Sequence, residues 1–272
     1  MATRKKTASK STSIFQSKFF WIVLISICFS ILIFTYRNAI LYYFSFKSDK
    51  VLRSEMTYKV RNEEVLLANA SKVVGIDVSH YQGKINWSNV EFVNEKYPIE
   101  FVFIRATQGN DKKDSQFDKN WNECKRYNII RGAYHYYRPN ENSLEQAQNF
   151  IKNVKLTKGD LPPVLDIEKL PKEQSIDNLK IGLKRFLDKI EEHYEVRPII
   201  YTGEKYYEDF LKDEFSDYTF WIANYNFIEA EINADYLIWQ FTEQAKIKGI
   251  KEKVDVNIFN GSYEDLRDLR IN

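Results

Sequence analysis

Eight short runs of apolar and aromatic residues constrain the fold of this chain more than any other feature. They are Val73–Ser79, Phe101–Thr107, Arg131–Tyr137, Pro163–Glu168, Pro198–Gly203, Thr219–Tyr225, Tyr236–Thr242 and Val254–Phe259. Most are near-continuous, as strands buried on both faces should be. Helical patterns fill the longer gaps. Ser143 with Gln146 reads as a capping box, and Leu144, Ala147, Phe150, Ile151 and Val154 follow on one face. Ser175 can cap the next helix, whose stripe is Ile176, Leu179, Leu183, Phe186, Leu187, Ile190 and Tyr194. Phe117, Trp121 and Cys124 share one face of another helix, which makes Cys124 a core thiol. Eight strands with helices between them predict an α/β fold, a single closed TIM-like (β/α) barrel. The gaps 226–235 and 243–253 are about as short as, or shorter than, the dozen residues that a parallel crossover takes. The barrel is therefore expected to be regular through about five strands, then irregular, with some antiparallel pairing and few helices.

The segment ahead of the barrel has a different texture. Residues 1–18 carry Arg4, Lys5, Lys6, Lys10 and Lys18 and no acid. Residues 19–36 carry no charge at all, which is enough length for a helix to span a bilayer core. The order predicts a basic cytoplasmic tail (1–18), a transmembrane signal-anchor (19–36), a juxtamembrane stalk with a short helix (37–72) and a barrel domain (73–272) outside the cytoplasm, on the periplasmic or extracellular side. A cleaved signal peptide would show a shorter apolar core and a small-residue cleavage site, and neither is evident. Cys28 falls inside the span and Cys124 in the barrel, so no disulfide is expected. The formal net charge of +2 is too near balance to suggest nucleic acid as a partner.

The acids mark the chemistry. Asp166 and Glu168 lie two apart at the end of the fourth run. On a strand they point the same way, roughly 6–7 Å apart along the chain. Like charges at that spacing raise one pKa, so one group can hold a proton while its neighbour stays ionised, as cleavage of a glycosidic bond requires. The pair alone reads more simply as two solvated acids at a strand end. Asp77 ends the first run and Asp255 lies in the eighth. In a barrel those strands are neighbours and the fourth lies across from them, so all four acids can converge at the C-terminal mouth. Aromatic residues at other strand ends would supply walls for a sugar polymer, and about half of them are expected to be plain core. His80, His135 and His193 are the only histidines; His80 and His135 could reach the mouth, but neither a metal site nor a cofactor is expected.

Five segments occur in one order: Gly-Ile-Asp-Val-Ser-His-Tyr-Gln-Gly at 75–83, Phe-Ile-Arg-Ala-Thr-Gln-Gly at 103–109, Gly-Ala-Tyr-His-Tyr-Tyr at 132–137, Leu-Asp-Ile-Glu at 165–168 and Val-Asp-Val-Asn-Ile-Phe at 254–259. Together they resemble glycoside hydrolase family 25, the Chalaropsis-type lysozymes, over about residues 73–270. The resemblance implies a metal-independent hydrolase that cleaves the β-1,4 bond between N-acetylmuramic acid and N-acetylglucosamine in peptidoglycan. It implies Glu168 as general acid, Asp166 as the assisting carboxylate, and Asp77 and Asp255 as further acids of the cleft. Tyr136 and Trp239 fall where aromatic residues contact substrate, and Tyr81, His135, Tyr225 and Arg105 are further candidates for binding it. Arg105 and Gln108 stand where the family commonly has Lys and Glu, which leaves the four carboxylates intact and bears on subsite preference. A monomer is expected. The alternative is a membrane-tethered, non-catalytic module that binds the cell wall.

Overall fold

The computed structural model of the chain describes residues 18–35 and 55–272. Met1–Thr57 and Tyr58–Asn272 are separate compact units. In the first, Lys18–Thr35 form helix α1, and every side chain from Trp21 to Phe34 is exposed. Among the described residues no helix is long and apolar enough to cross a membrane. Residues 1–17 of the basic tail, Tyr36 at the end of the expected span, and residues 37–54 of the stalk lie outside the described residues.

The second unit begins earlier than the first strand. Helix α2 (Glu55–Ala68) belongs to it from Tyr58 onward, and Val65 and Leu66 are buried in the barrel's outer core. Its few apolar residues cannot form a core alone, and they reach burial by packing on a neighbour instead.

The barrel then runs β1 (Val73–Val78), β2 (Phe92–Val93), β3 (Tyr97–Gln108), β4 (Lys112–Lys113), α3 (Phe117–Arg126), β5 (Ile130–Tyr136), α4 (Ser143–Asn153), β6 (Val164–Asp166), α5 (Ile176–Tyr194), β7 (Ile199–Gly203), β8 (Phe220–Ala223), β9 (Ile238–Ala245), β10 (Val254–Phe259) and α6 (Tyr263–Asp268). Leaving out the short β2 and β4, eight strands close on themselves through the β1–β3 pairing. Among these eight, every pair that does not involve β10 is parallel, and β10 runs antiparallel to both its neighbours. Strand direction is thus regular for longer than the gap lengths imply. The reason lies in the strand ends. β8 stops at Ala223 and β9 starts at Ile238, so the connection has room to cross without a helix. Irregularity shows in the helices instead. Between β1 and β3 stand only the 3₁₀ turns His80–Gln82 and Trp87–Asn89, and after β7 one helical turn runs into a π-helical stretch, Tyr207–Leu211.

Alternate residues of each strand face the interior. Phe101, Phe103, Ile130, Val164, Trp221 and Phe259 fill its lower part. Gly75 and Gly132 are where the rings need room: a Cβ on Gly75 would lie 2.4 Å from the Phe101 ring, and one on Gly132 2.3 Å from the Phe103 ring. The outward set, including Ile76, Val102, Ile104, Leu165 and Ile222, packs against Phe117, Phe150, Leu183, Phe186 and Leu187 of the helices. Cys124 is fully buried there, and burial pushes its thiol pKa well up. The Ser175 cap forms as expected, with its side chain accepting from Asn178 N. The capping box at Ser143 does not form. Asn142 caps α4, and Gln146 turns instead to the backbone of Arg138 and Glu141.

Candidate active site

Asp166 is the last residue of β6, and Glu168 stands two positions beyond the strand, on the same side. Both line a cavity of about 430 Å³ at the C-terminal end of the parallel strands. Asp77 and Asp255 line it too, and they are direct partners in the antiparallel β1–β10 pair. Opposed acids in a sheet repel unless something uses or neutralises them. Because β10 runs the other way, its N-terminal end supplies Asp255 to the mouth that every other strand reaches with its C-terminal end.

All four carboxyl groups hold protons more tightly than usual. Burial pushes Asp77 up to about 6, against the donated hydrogen bonds of Asn257 and Gln240 and with the Glu168 charge adding to it. Burial raises Asp166 most, and the charges of Glu168 and Asp77 add to that. Glu168 is exposed at the mouth, yet the protein around its carboxyl group desolvates it and raises it, with Lys169 and Arg105 pulling back. Burial, Asp77 and Glu243 raise Asp255. Asp166 Oδ1 is buried with no hydrogen-bond partner in the protein.

Asp77 is held by a chain of oriented donors. Trp221 Nε1 donates to Asn257 Oδ1 at 2.8 Å, and Asn257 Nδ2 donates to Asp77 Oδ2 at 2.9 Å. The indole N–H can only donate, so it decides which end of the Asn257 amide faces Asp77. On the other side Tyr201 donates to Gln240 Oε1 at 2.8 Å, Tyr225 donates to the same oxygen, and Gln240 Nε2 donates to Asp77 Oδ2 at 2.7 Å.

At the rim, Arg105 Nε donates to Asp114 Oδ2 at 3.0 Å and its guanidinium lies 5.0 Å from the centre of the Tyr81 ring. His80 Nδ1 lies 2.8 Å from the same Asp114 oxygen. Burial opposes ionisation of Asp114, but the backbone N–H groups of His80 and Gln116, the His80 ring and Arg105 hold its pKa below the usual range. The strand bulges after Arg105, and Gln108 faces the cavity as a result.

Of the residues expected at the site, Glu168, Asp166, Asp77, Asp255, Tyr136, Tyr81, Tyr225 and Arg105 line the cavity. His135 and Trp239 do not, and both expectations are corrected here. His135 is fully buried on the outer face of β5, 2.7 Å from Thr107 Oγ1 and 3.2 Å from Gln146 Oε1, and burial pulls its pKa down to about 4. Trp239 is outward on β9, with Nε1 donating to the Asn224 carbonyl at 2.8 Å. Their strand neighbours take the inward places: Tyr134 and Tyr136 beside His135, and Gln240 beside Trp239. Trp221 and Tyr201 complete the aromatic lining. Asp114 had no signal in the sequence, because it lies in a loop outside every motif. Among the described residues no group of His, Cys, Asp and Glu is arranged to hold a metal ion.

A closed (β/α) barrel with four carboxyl groups of raised proton affinity converging on one aromatic-walled cleft defines an enzyme built for acid–base chemistry. The sequence profile of glycosyl hydrolases family 25 matches residues 76–250. The chain is similar to Lysozyme M1 of Streptomyces globisporus, 32% identical over 220 residues that cover 75% of this chain and 74% of that protein. Its structure is similar to that of a family 25 glycosyl hydrolase from Bacillus anthracis, at 28% identity and a TM-score of 0.66, covering 75% of this chain and 95% of that one. It is also similar to a bacterial lysozyme from Streptomyces coelicolor, at 31% identity and a TM-score of 0.66, covering 74% and 97%. The chain belongs to glycosyl hydrolases family 25, and it is a glycoside hydrolase.

Proposed function

We propose that the protein hydrolyses peptidoglycan at the β-1,4 bond between N-acetylmuramic acid and N-acetylglucosamine. The observation that carries this reading is the Asp166–Glu168 pair, side by side on one wall of the cleft with both pKa values raised. Two neighbouring carboxyl groups with raised proton affinity titrate as a pair. Glu168 stands at the open end, where a glycosidic oxygen can reach it, and acts as general acid. Asp166 lies deeper, and its unpartnered Oδ1 suits the N–H of a 2-acetamido group. The acetamido oxygen can then assist departure of the leaving group, with net retention at the anomeric carbon. Tyr81, Tyr136, Tyr225 and Arg105 line the sugar path, and one copy of the chain carries the whole cavity, which suits a monomer. Mass spectrometry of reduced digestion products tests the proposal. Disaccharide-peptides ending in reduced muramic acid, absent with Glu168→Gln, are expected; products ending in reduced glucosamine would move the cut to the other bond. NMR of the first-formed anomer tests retention, and an α product would overturn it.

Attachment to a membrane through residues 19–36 is part of the same proposal, with the N-terminus in the cytoplasm and the barrel outside. It is supported by the uncharged run of residues 19–36 and the basic segment before it. A tethered hydrolase reaches only nearby wall, which suits local remodelling. Release of the intact protein by carbonate washing without detergent would defeat this part.

A further inference from the structure

The family match begins at residue 76, and α2 lies wholly before it. Its polar residues nevertheless reach the active-site side of the barrel. Arg61 of α2 and Asn69, the residue that follows the helix, are each only 5% exposed. Arg61 Nη2 donates to the Asn226 carbonyl at 2.6 Å and to the Glu229 carbonyl. Asn69 Nδ2 donates to the Ala230 carbonyl at 2.7 Å, and Asn69 Oδ1 accepts from Ile232 N at 3.2 Å. The Arg61 guanidinium also lies 5.7 Å from the centre of the Trp239 ring, whose indole N–H holds the Asn224 carbonyl. All these contacts grip the β8–β9 connection just after Tyr225. Tyr225 lines the cleft, and its hydroxyl donates to Gln240, which in turn holds Asp77.

The geometry points to Arg61 as a positioning residue for the active site: α2 clamps the 226–232 segment and so sets the Tyr225 wall of the cleft and its hydroxyl on Gln240. The inference rests on the glycosidase site described above. Two carbonyls converge on one guanidinium nitrogen while the central carbon of the same group lies over the Trp239 indole. A lysine ammonium can donate to carbonyls, but it is a compact point charge with no delocalised plane to lie over the indole at the same time. Without the guanidinium, both carbonyls lose a charge-assisted partner and the segment rearranges. Trp239 therefore matters to the site from behind, through the segment it supports.

The test uses the full chain in detergent. It compares Arg61→Ala, Arg61→Lys, Asn69→Ala and Tyr225→Phe, with Leu183→Ala in α5 as a variant that only weakens the core. Arg61→Ala is expected to raise KM about tenfold on solubilised peptidoglycan, at temperatures where it remains folded. Arg61→Lys should recover only part of that loss. Combined with Tyr225→Phe, Arg61→Ala should lose no more than the worse single variant. Amide exchange should rise in 224–232, and Leu183→Ala should lower Tm without moving KM. If Arg61→Ala does not fold, Asn69→Ala carries the same comparison. Wild-type KM with unchanged exchange in 224–232, or a matching KM change in Leu183→Ala, overturns the clamp. A wild-type chain with no turnover would defeat the proposed function alone; exchange in 224–232 then decides the clamp by itself, and an unchanged rate overturns it.

Discussion

Gln240 Nε2 donates to Asp77 Oδ2 at 2.7 Å, joining β9 to β1 across the intervening β10. Asn257 donates to the same oxygen from β10. Two oriented amides thus hold a buried carboxyl group in one place, while burial, with the Glu168 charge adding to it, raises its proton affinity. The site is stiff and electrostatically loaded at once, as preorganised chemistry requires.

The first expectation concerns the acid pair. Glu168→Gln should keep the fold and lower kcat by about 10²–10⁴-fold, the usual contribution of a general acid. Asp166→Asn should also lower kcat, and it should move the alkaline limb of the pH–rate profile, where the general acid loses its proton, because the two carboxyl groups no longer titrate as a pair. Steady-state rates on soluble wall fragments between pH 4 and 8 check both.

Asp77 should make the protein less stable as pH rises. Its folded pKa of about 6 lies above the ordinary 3.8, so the native state binds the proton more tightly than the unfolded chain. Stability from that proton is complete at low pH and is lost as pH climbs from about 4 through 6. Asp77→Asn removes the loss, so its stability relative to wild type should improve between pH 4 and pH 8 by about 1–3 kcal/mol. Thermal unfolding at the two pH values reads the difference.

His135 has the opposite sign. Its folded pKa of about 4 lies below 6.5, so the unfolded chain binds protons first, and stability falls as pH drops through that window. His135→Phe should flatten this acid-side loss. At pH 7 it should cost about 1–3 kcal/mol, because Thr107 and Gln146 lose a buried partner. The pH–rate profile should keep its shape, since the ring faces away from the cleft.

Gly75→Ala forces a methyl group into the Phe101 ring and should destabilise by about 1–3 kcal/mol or more. Adding Phe101→Leu should recover part of the loss. Urea unfolding of the two single variants and the double variant measures that coupling.

How much of this was legible depends on what each residue type reports. The eight strands were visible because runs of Val, Ile and Phe between helical patterns have few other folds open to them. Asp77, Asp166, Glu168 and Asp255 were visible because acids at the ends of apolar runs are costly without a use. The side that each residue faces was not. A strand buried on both faces has no apolar–polar alternation, so nothing in Tyr134-His135-Tyr136 or Trp239-Gln240 marks which side chain turns inward. That is why His135 and Trp239 are expected at the cleft and lie behind it, while Gln240 takes the inward place. The bulge after Arg105, which turns Gln108 to the cavity, leaves no mark in the sequence either.

The sequence by itself determined the barrel, the order of its strands and the carboxyl groups at its mouth, because local apolar pattern and residue chemistry suffice for those. Only the tertiary structure decided the parity of each strand, the opposition of Asp77 to Asp255, the joining of Asp114 to Arg105, and the docking of α2 against the Tyr225 segment. Each of these depends on groups far apart in the chain. Their interaction exists only once the backbone has closed and excluded water, and no short stretch of sequence carries that information.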